Sequence, residues 1–303
     1  MWLVYLRRVG KHWAWTLASN DIWPLESVTV SGNGGLVVGG LGSSIPTPSS
    51  GALYLLRNVQ MAIRLHQRHG AKYEFEERRV QVNLGDLQMI AYSEVDFRVI
   101  YEIFGETTYG MSESGPMLVL DIGANIGMAS LYFADRLGAE VRAFELVPST
   151  AAIAEENIGL NPSLASRIQL NACGVSAANG SFDLPVNPDY RPSNSLFEAV
   201  PNAAASERVN VRDVAEVFME AESDLGPRSL VVKLDAEGAE YEIFERLIEV
   251  GKVGLPEIWH IEWHRRDGKD PEQIRAALRS AGYRWFEREH GDAPVGYISA
   301  YRG

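Results

Sequence analysis

The segment Asp121-Ile122-Gly123-Ala124-Asn125-Ile126-Gly127 carries the most chemical information in the chain. It follows a run of buried-strand character and precedes a helical one, so it is the turn of a strand–turn–helix unit. Glycine at 123 and 127 lets the backbone turn tightly and lets a ligand approach without meeting a Cβ; Ala124 and Asn125 complete the candidate contact. Ligands of open α/β sheets settle beyond the carboxyl ends of the strands. A dinucleotide site would want Gly-x-Gly-x-x-Gly, with a pyrophosphate on the helix N-terminus. Here Asp121 stands where the first glycine would be. A carboxylate repels a pyrophosphate but suits a ligand that carries an ammonium and a sulfonium, so the loop favours S-adenosylmethionine. Glu145 closes the next strand 24 residues later, near the ~20-residue offset at which an acid meets a ribose hydroxyl in this architecture. Asn171 and Ala172 follow the third strand, where an adenine ring would sit; Asn171 is a ring-edge partner or an ordinary turn residue.

A second cluster lies further on. Ser229 to Leu234 reads as a buried strand interrupted by Lys233 and ending at Asp235, with Glu237, Gly238, Ala239 and Glu240 after it. Glu240 opens a helix, where an acid is favoured by the N-terminal partial charge. Asp235, at the tip of a central strand, points toward the crevice. In Ile258-Trp259-His260-Ile261-Glu262-Trp263-His264, alternation sets His260, Glu262 and His264 on one face. His260 and His264 are then ~13 Å apart, too far to share a metal, whereas Glu262 and His264, ~6.6 Å apart, can act together. His264 is the first candidate for a general base, because imidazole titrates near neutral pH, with Asp235 or Glu262 orienting it; His260 reads as core. The rival is a divalent metal held by Asp235, Glu237 and Glu262.

Strands and helices must position these groups, and from Met117 the chain alternates between the two, the pattern of a parallel sheet with crossover helices. Strands are expected at Met117–Ile122, Glu140–Glu145, Arg167–Asn171, Leu230–Asp235 and Glu257–His264, helices at Met128–Leu137, Thr150–Leu160, Ala239–Val250 and Pro271–Ala281. A terminal antiparallel pair, Tyr283–Arg288 and Val295–Tyr301, is separated by Gly291-Asp292. Asn179 to Val209 shows no strong period and reads as irregular cover for a pocket. Ahead of this, residues 1–110 form an extension. Its first part, Met1 to Leu17, gathers Trp2, Tyr5, Leu6, Val9 and Trp13 on one side of a helical wheel; it reads as a packed helix or, alternatively, as an interfacial membrane helix. A Gly/Ser/Pro-rich loop (Gly32–Gly51), a helix in Ala52–His69, a hairpin in Tyr73–Tyr92 turning at Leu84-Gly85-Asp86, and a short helix at Phe97–Phe104 follow.

Composition narrows the partners. Of 303 residues, Asp plus Glu number 40 against 28 Lys plus Arg, a net charge of -12. Nucleic acid binding draws on clustered basic residues, so a nucleic-acid partner is not expected. Cys173 is the sole cysteine, which permits no intrachain disulfide and suits a reducing cytoplasm. No apolar run approaches the ~20 residues of a membrane span.

Asp121–Gly127, Ala143-Phe144-Glu145, Asn157-Ile158-Gly159-Leu160-Asn161 and Lys233-Leu234-Asp235-Ala236-Glu237-Gly238-Ala239-Glu240 resemble, in order, the motifs of FkbM-type methyltransferases. Ile103-Phe104 with Tyr109, and Gly282-Tyr283, extend the resemblance over roughly Asp96 to Tyr301. It implies an α/β, Rossmann-like class I methyltransferase sheet over 111–303, mostly parallel with the last strand antiparallel, and dependence on S-adenosylmethionine. It also implies O-methylation of a hydroxyl on a small molecule, natural product or glycan. One departure is Leu146, where the family has Pro after the ribose acid. A catalytically silent binding or assembly module is the alternative, and a homodimer is possible in either case.

Overall fold

The structure, a computed structural model, describes residues 59–75, 79–106, 108–110, 115–187, 195, 197, 203, 205–289 and 295–302. At 3–9, 12–18, 27–30, 35–39, 43–46, 59, 60, 63 and 75 it describes the backbone only. The chain forms two compact units, Met1–Glu106 and Thr107–Gly303.

The first unit opens not with a helix but with two strands, β1 (Leu3–Val9) and β2 (His12–Ala18), paired antiparallel from Leu3↔Ala18 to Val9↔His12. Trp13, Trp15 and Leu17 recur at period two, and these β-prone residues suit a pleated ribbon. The amphipathic helix expected there is therefore corrected, and its membrane-surface alternative falls with it. β3 (Ser27–Val30), β4 (Gly35–Gly39) and β5 (Ser43–Pro46) complete a five-stranded antiparallel sheet, so the stretch expected as loop contains two short strands. Next come helix α1 (Val59–His69) and strands β6 (Lys72–Phe75), β7 (Val80–Leu84) and β8 (Leu87–Ala91). Leu84 pairs with Leu87 around Gly85, whose φ is +64°, the turn the sequence expects. Helix α2 (Glu94–Ile100) starts on a reciprocal Ser93–Asp96 capping box and runs on into a π-helical turn, Tyr101–Gly105.

The second unit contains a seven-stranded sheet. Its strands are β9 (Met117–Ile122), β10 (Glu140–Phe144), β11 (Ile168–Asn171), β15 (Ser229–Leu234), β16 (Ile258–His264), β17 (Tyr283–Glu289) and β18 (Val295–Arg302). The order is β11-β10-β9-β15-β16-β18-β17, parallel as far as β16, with β18 antiparallel to both neighbours. The order reverses between β9 and β15, and ligands enter open sheets at such switch points. The turn expected at Gly291-Asp292 lies outside the described residues.

Helices α3 (Met128–Arg136), α4 (Pro148–Gly159), α5 (Pro162–Ala165), α6 (Val214–Asp224), α7 (Glu240–Glu249) and α8 (Glu272–Ser280) flank the sheet. Alternation divides its two faces. Leu118, Leu120, Ile122, Val232, Leu234, Trp259, Ile261 and Trp263 join Phe218 and Phe244 in one apolar core. Asp121, Lys233, His260 and Ser299, paired in one row across four strands, put a polar row on the other face, whose remaining inward residues, such as Val119, Val141 and Val231, are apolar and buried. A smaller sheet orders β12 (Gly174–Ser176), β14 (Ala205–Asp213) and β13 (Gly180–Val186). The segment from Asn179 to Val209 is thus not wholly irregular: Leu184, Val186 and Val209 are buried against Val147. Tyr109, placed by sequence in the extension, packs on Tyr132, Phe133 and His260 of the second unit.

Candidate active site

A cleft of about 620 Å³, counted with the solvent at its mouth, opens at the carboxyl ends of β10, β9 and β15. Its floor is the loop after β9. Gly123 has φ +83°, and a Cβ there would lie 1.7 Å from the Asp235 carbonyl oxygen, so only glycine fits. The Gly123 and Ala124 N–H groups donate to the Phe144 carbonyl, both at 2.9 Å, tying the loop to β10. Gly127, at φ +86°, lets α3 pass close to Ala154 of α4.

Glu145 lies buried in the cleft wall. One carboxylate oxygen accepts the Asn125 N–H at 2.8 Å and the other the Val147 N–H at 3.0 Å. Each keeps a lone pair for a ribose hydroxyl. Burial pushes its pKa up to about 7, against the pull of those two N–H groups.

Of the residues expected to touch the cofactor, Gly123, Asn125, Glu145 and Asp235 line the cleft. Asp121, Ala124 and Gly127 stand behind it. Asp121 is fully buried, with one oxygen accepting from Ser130 Oγ at 2.6 Å and the other 3.4 Å from Lys233 Nζ. Asn171 and Ala172 are not among the lining residues. The Asn171 amide turns back onto the carbonyls of Ala143 and Gln169, while Ala172 lines a separate groove with Pro148 and Leu170. Leu146, Gly174 and Val175 line the cleft there instead. A Cβ on Gly174 would lie 2.6 Å from Leu146 Cδ1, so Gly174 makes room for the leucine that departs from the family pattern.

The second cluster gathers at the tips of β15 and β16. Asp235 and Glu237 line the cleft. Glu237 has φ +47°, a conformation that costs a non-glycine residue roughly 1–3 kcal/mol and tends to occur at functional sites. Three hydrogen bonds hold it: its carbonyl accepts from Ser195 Oγ, and the Ala236 and Gly238 N–H groups on either side donate to the Glu240 carboxylate. Glu240, expected mainly as a helix-start acid, is thus a fully buried hub. The sequence marks it only as an acid in a first helical turn.

His264 sits between Glu240 (Nδ1 to Oε1, 3.2 Å) and Glu237 (Nε2 to Oε2, 3.3 Å). These two, not Asp235 or Glu262, orient the ring, because the loop curls Glu237 and Glu240 back over the end of β16. Burial alone would lower the His264 pKa, but Glu240, Glu237 and Asp235 outweigh it and hold it near about 10. The Glu237 carboxyl is raised well above its usual range by burial and by the charges of Asp235, Glu262 and Glu240. The ring and the Glu237 carboxyl, 3.3 Å apart, thus both hold protons more tightly than their ordinary values. Asp235, Glu237 and His264 can offer atoms within 4.8 Å of one another; Glu262 is not of that group. Both ring nitrogens of His264 face carboxylates. The group that could hold a cation is thus Asp235, Glu237 and His264, with His264 in place of the Glu262 of the rival metal reading. His260, as expected, is core: buried and lowered to about 4 by desolvation, with Nδ1 2.7 Å from Tyr297 Oη.

A family model described as "Methyltransferase FkbM domain" matches residues 121–285, more than half of the chain. Among solved structures, the methyltransferase FkbM of Methylobacillus flagellatus KT aligns at 16% identity and TM-score 0.46, over 83% of this chain and 61% of its own length. This chain therefore spans about three fifths of that relative. A Streptococcus pneumoniae protein provisionally assigned as a tRNA (m1A22) methyltransferase aligns at 16% identity and TM-score 0.38, over 65% of this chain and 68% of that one. The N-terminal domain of human METTL16 aligns at 14% identity and TM-score 0.40, over 91% and 87%. Comparison with curated proteins finds no match.

Proposed function

The chain belongs to the FkbM methyltransferase family, and we propose that it methylates a hydroxyl of a small molecule, natural product or sugar at the expense of S-adenosylmethionine. The observation that carries the reading is the lining of the cleft. Glu145, Asp235 and Glu237 face it, with no basic residue among the described lining residues. Such a lining attracts a sulfonium and an ammonium and repels phosphate. Asp235 Oδ1 and Asn125 Oδ1 are buried without a hydrogen-bond partner, and buried polar atoms of this kind ordinarily have one; the ammonium and hydroxyl donors of the cofactor fit that need.

When bound, S-adenosylmethionine supplies an electrophilic methyl group. Gly123 admits it to the loop, Glu145 takes the ribose hydroxyls, and Asp235 takes the amino-acid end. The acceptor hydroxyl must line up behind the methyl and shed a proton. Alignment is worth ~7–11 kcal/mol, a general base about 3–5.5 kcal/mol, so positioning dominates. The proton passes to the Glu237–His264–Glu240 group, with Glu237 nearest the cleft, and Glu262 stays at its margin.

Calorimetry with S-adenosylmethionine, followed by a screen of hydroxylated acceptors with and without a chelator, tests this. Saturable binding and chelator-resistant methylation of a small hydroxylated acceptor are expected. Binding without turnover of any acceptor would identify a silent module, and turnover of RNA alone would overturn the acceptor class.

A further inference from the structure

Lys233 is an ammonium placed where a strand normally buries an apolar side chain. It lies in the middle of the sheet, 5% exposed, and its three N–H bonds face three oxygens. Nζ donates to the Gly123 carbonyl and lies 3.4 Å from Asp121 Oδ1 and 3.5 Å from Asp235 Oδ2. Asp121 stands behind the cofactor loop, Gly123 is its turn, and Asp235 lines the cleft, so one side chain joins three parts of the site. Burial would discharge the amine, but Asp235, Asp121 and Glu262 outweigh it and keep the charge fixed. Lys233 has used its donors on this side, and Asp235 Oδ1, on the far side of that carboxylate, is left buried with no hydrogen bond.

We propose that Lys233 is a positioning residue: its ammonium fixes the Gly123 turn and turns Asp235 so that Oδ1 faces the amino-acid end of the cofactor. Without that cation the two aspartates would repel each other, and the Gly123 carbonyl would lose its only side-chain donor among the described hydrogen bonds. The inference rests on the cleft taking S-adenosylmethionine, so binding by the native protein is measured first; its failure would refute that reading and not this one.

Lys233→Met keeps the length and apolar volume of the stem and removes the charge; Lys233→Arg keeps the charge. Packing alone predicts that methionine is harmless and arginine disruptive. Positioning by charge predicts the reverse order. Calorimetry should show Lys233→Met binding S-adenosylmethionine and its demethylated product each at least tenfold more weakly, by factors that agree within threefold, because the loop serves both ligands. Lys233→Arg should retain more affinity than Lys233→Met. Native-like binding by Lys233→Met would overturn the proposal. So would tighter binding of the cationic cofactor alone, which would show a mere offset of charge. Should Lys233→Met not fold, Lys233→Gln, neutral and shorter, takes its place: it should bind both ligands more weakly than Lys233→Arg, and native-like binding by it would overturn the proposal.

Discussion

At Glu145, environment rather than residue type sets the chemistry. Its carboxyl is moved from 4.5 up to about 7 by burial, so the folded state holds a proton that the unfolded chain releases. The sign follows from linkage: an acid with a raised pKa costs stability as pH rises from about 4.5 to about 7, by up to about 3 kcal/mol. A ribose hydroxyl donating to the carboxylate reverses that preference. S-adenosylmethionine should therefore bind more tightly as pH rises toward 7, then level off, and should expel a proton when it binds near pH 6. Calorimetry at pH 6 in two buffers of different ionisation heat measures that proton. Affinity that is flat from pH 5.5 to 8 would remove Glu145 from the ribose. Gly123 gives a second, steric prediction. With a Cβ 1.7 Å from the Asp235 carbonyl, Gly123→Val should abolish cofactor binding, and unchanged affinity by calorimetry would place the cofactor elsewhere. At this scale sequence exposes the acids and glycines but not their partners. Lys233 reads there as an interruption of a strand and Glu240 as a helix-start acid; each acquires its role from atoms distant in the chain.

At the scale of elements, Gly296 of β18 pairs with Trp263 of β16, and the indole lies across it. A Cβ on Gly296 would sit 2.2 Å from Trp263 Cζ2. The ring cannot retreat: it is 1% exposed within the core, and Nε1 donates to Glu287 Oε1 at 3.1 Å. Gly296→Ala should therefore destabilise by roughly 1–3 kcal/mol, the usual cost of overpacking a filled core, and thermal unfolding would register a loss of several degrees. A midpoint within one degree of native would show that the strand yields. The central strands β9, β15 and β16 are legible in sequence as short, largely apolar runs, while β17, with Arg284, Glu287, Arg288 and Glu289, is read from alternation and from its place beside β18. Helix α6 is absent from the sequence expectation although its signal is there to find, with Asp213 accepting from the Ala215 N–H as its cap and Val214, Val217, Phe218 and Ala221 on one buried side. β13 is harder: four of its seven residues are exposed, so the strand is specified by pairing with β14 rather than by its own pattern. β1 and β2 mislead because a short segment rich in Trp, Tyr and Leu satisfies a helical wheel and a strand alternation equally well.

For the whole molecule, the division after Glu106 has consequences that can be measured. Every residue lining the cleft, from Ile122 to Ala239, belongs to the second unit. So do Ser130 and Lys233, which hold Asp121, and Ser195, Glu240 and His264, which hold the Glu237 loop. It holds an apolar core of its own, from Leu118 on β9 to Ala300 on β18. A chain of that length can bury about 70% of its unfolded surface, enough for independent stability. A fragment spanning 107–303 should therefore unfold cooperatively and bind S-adenosylmethionine within threefold of the full chain, as thermal melts and calorimetry would show. Loss of folding or of binding would mean that the first unit is integral to the cofactor site. Retained binding with lost turnover would instead assign acceptor selection to residues 1–106. The substrate of the full chain would then be sought by varying that extension while the transfer machinery stays fixed.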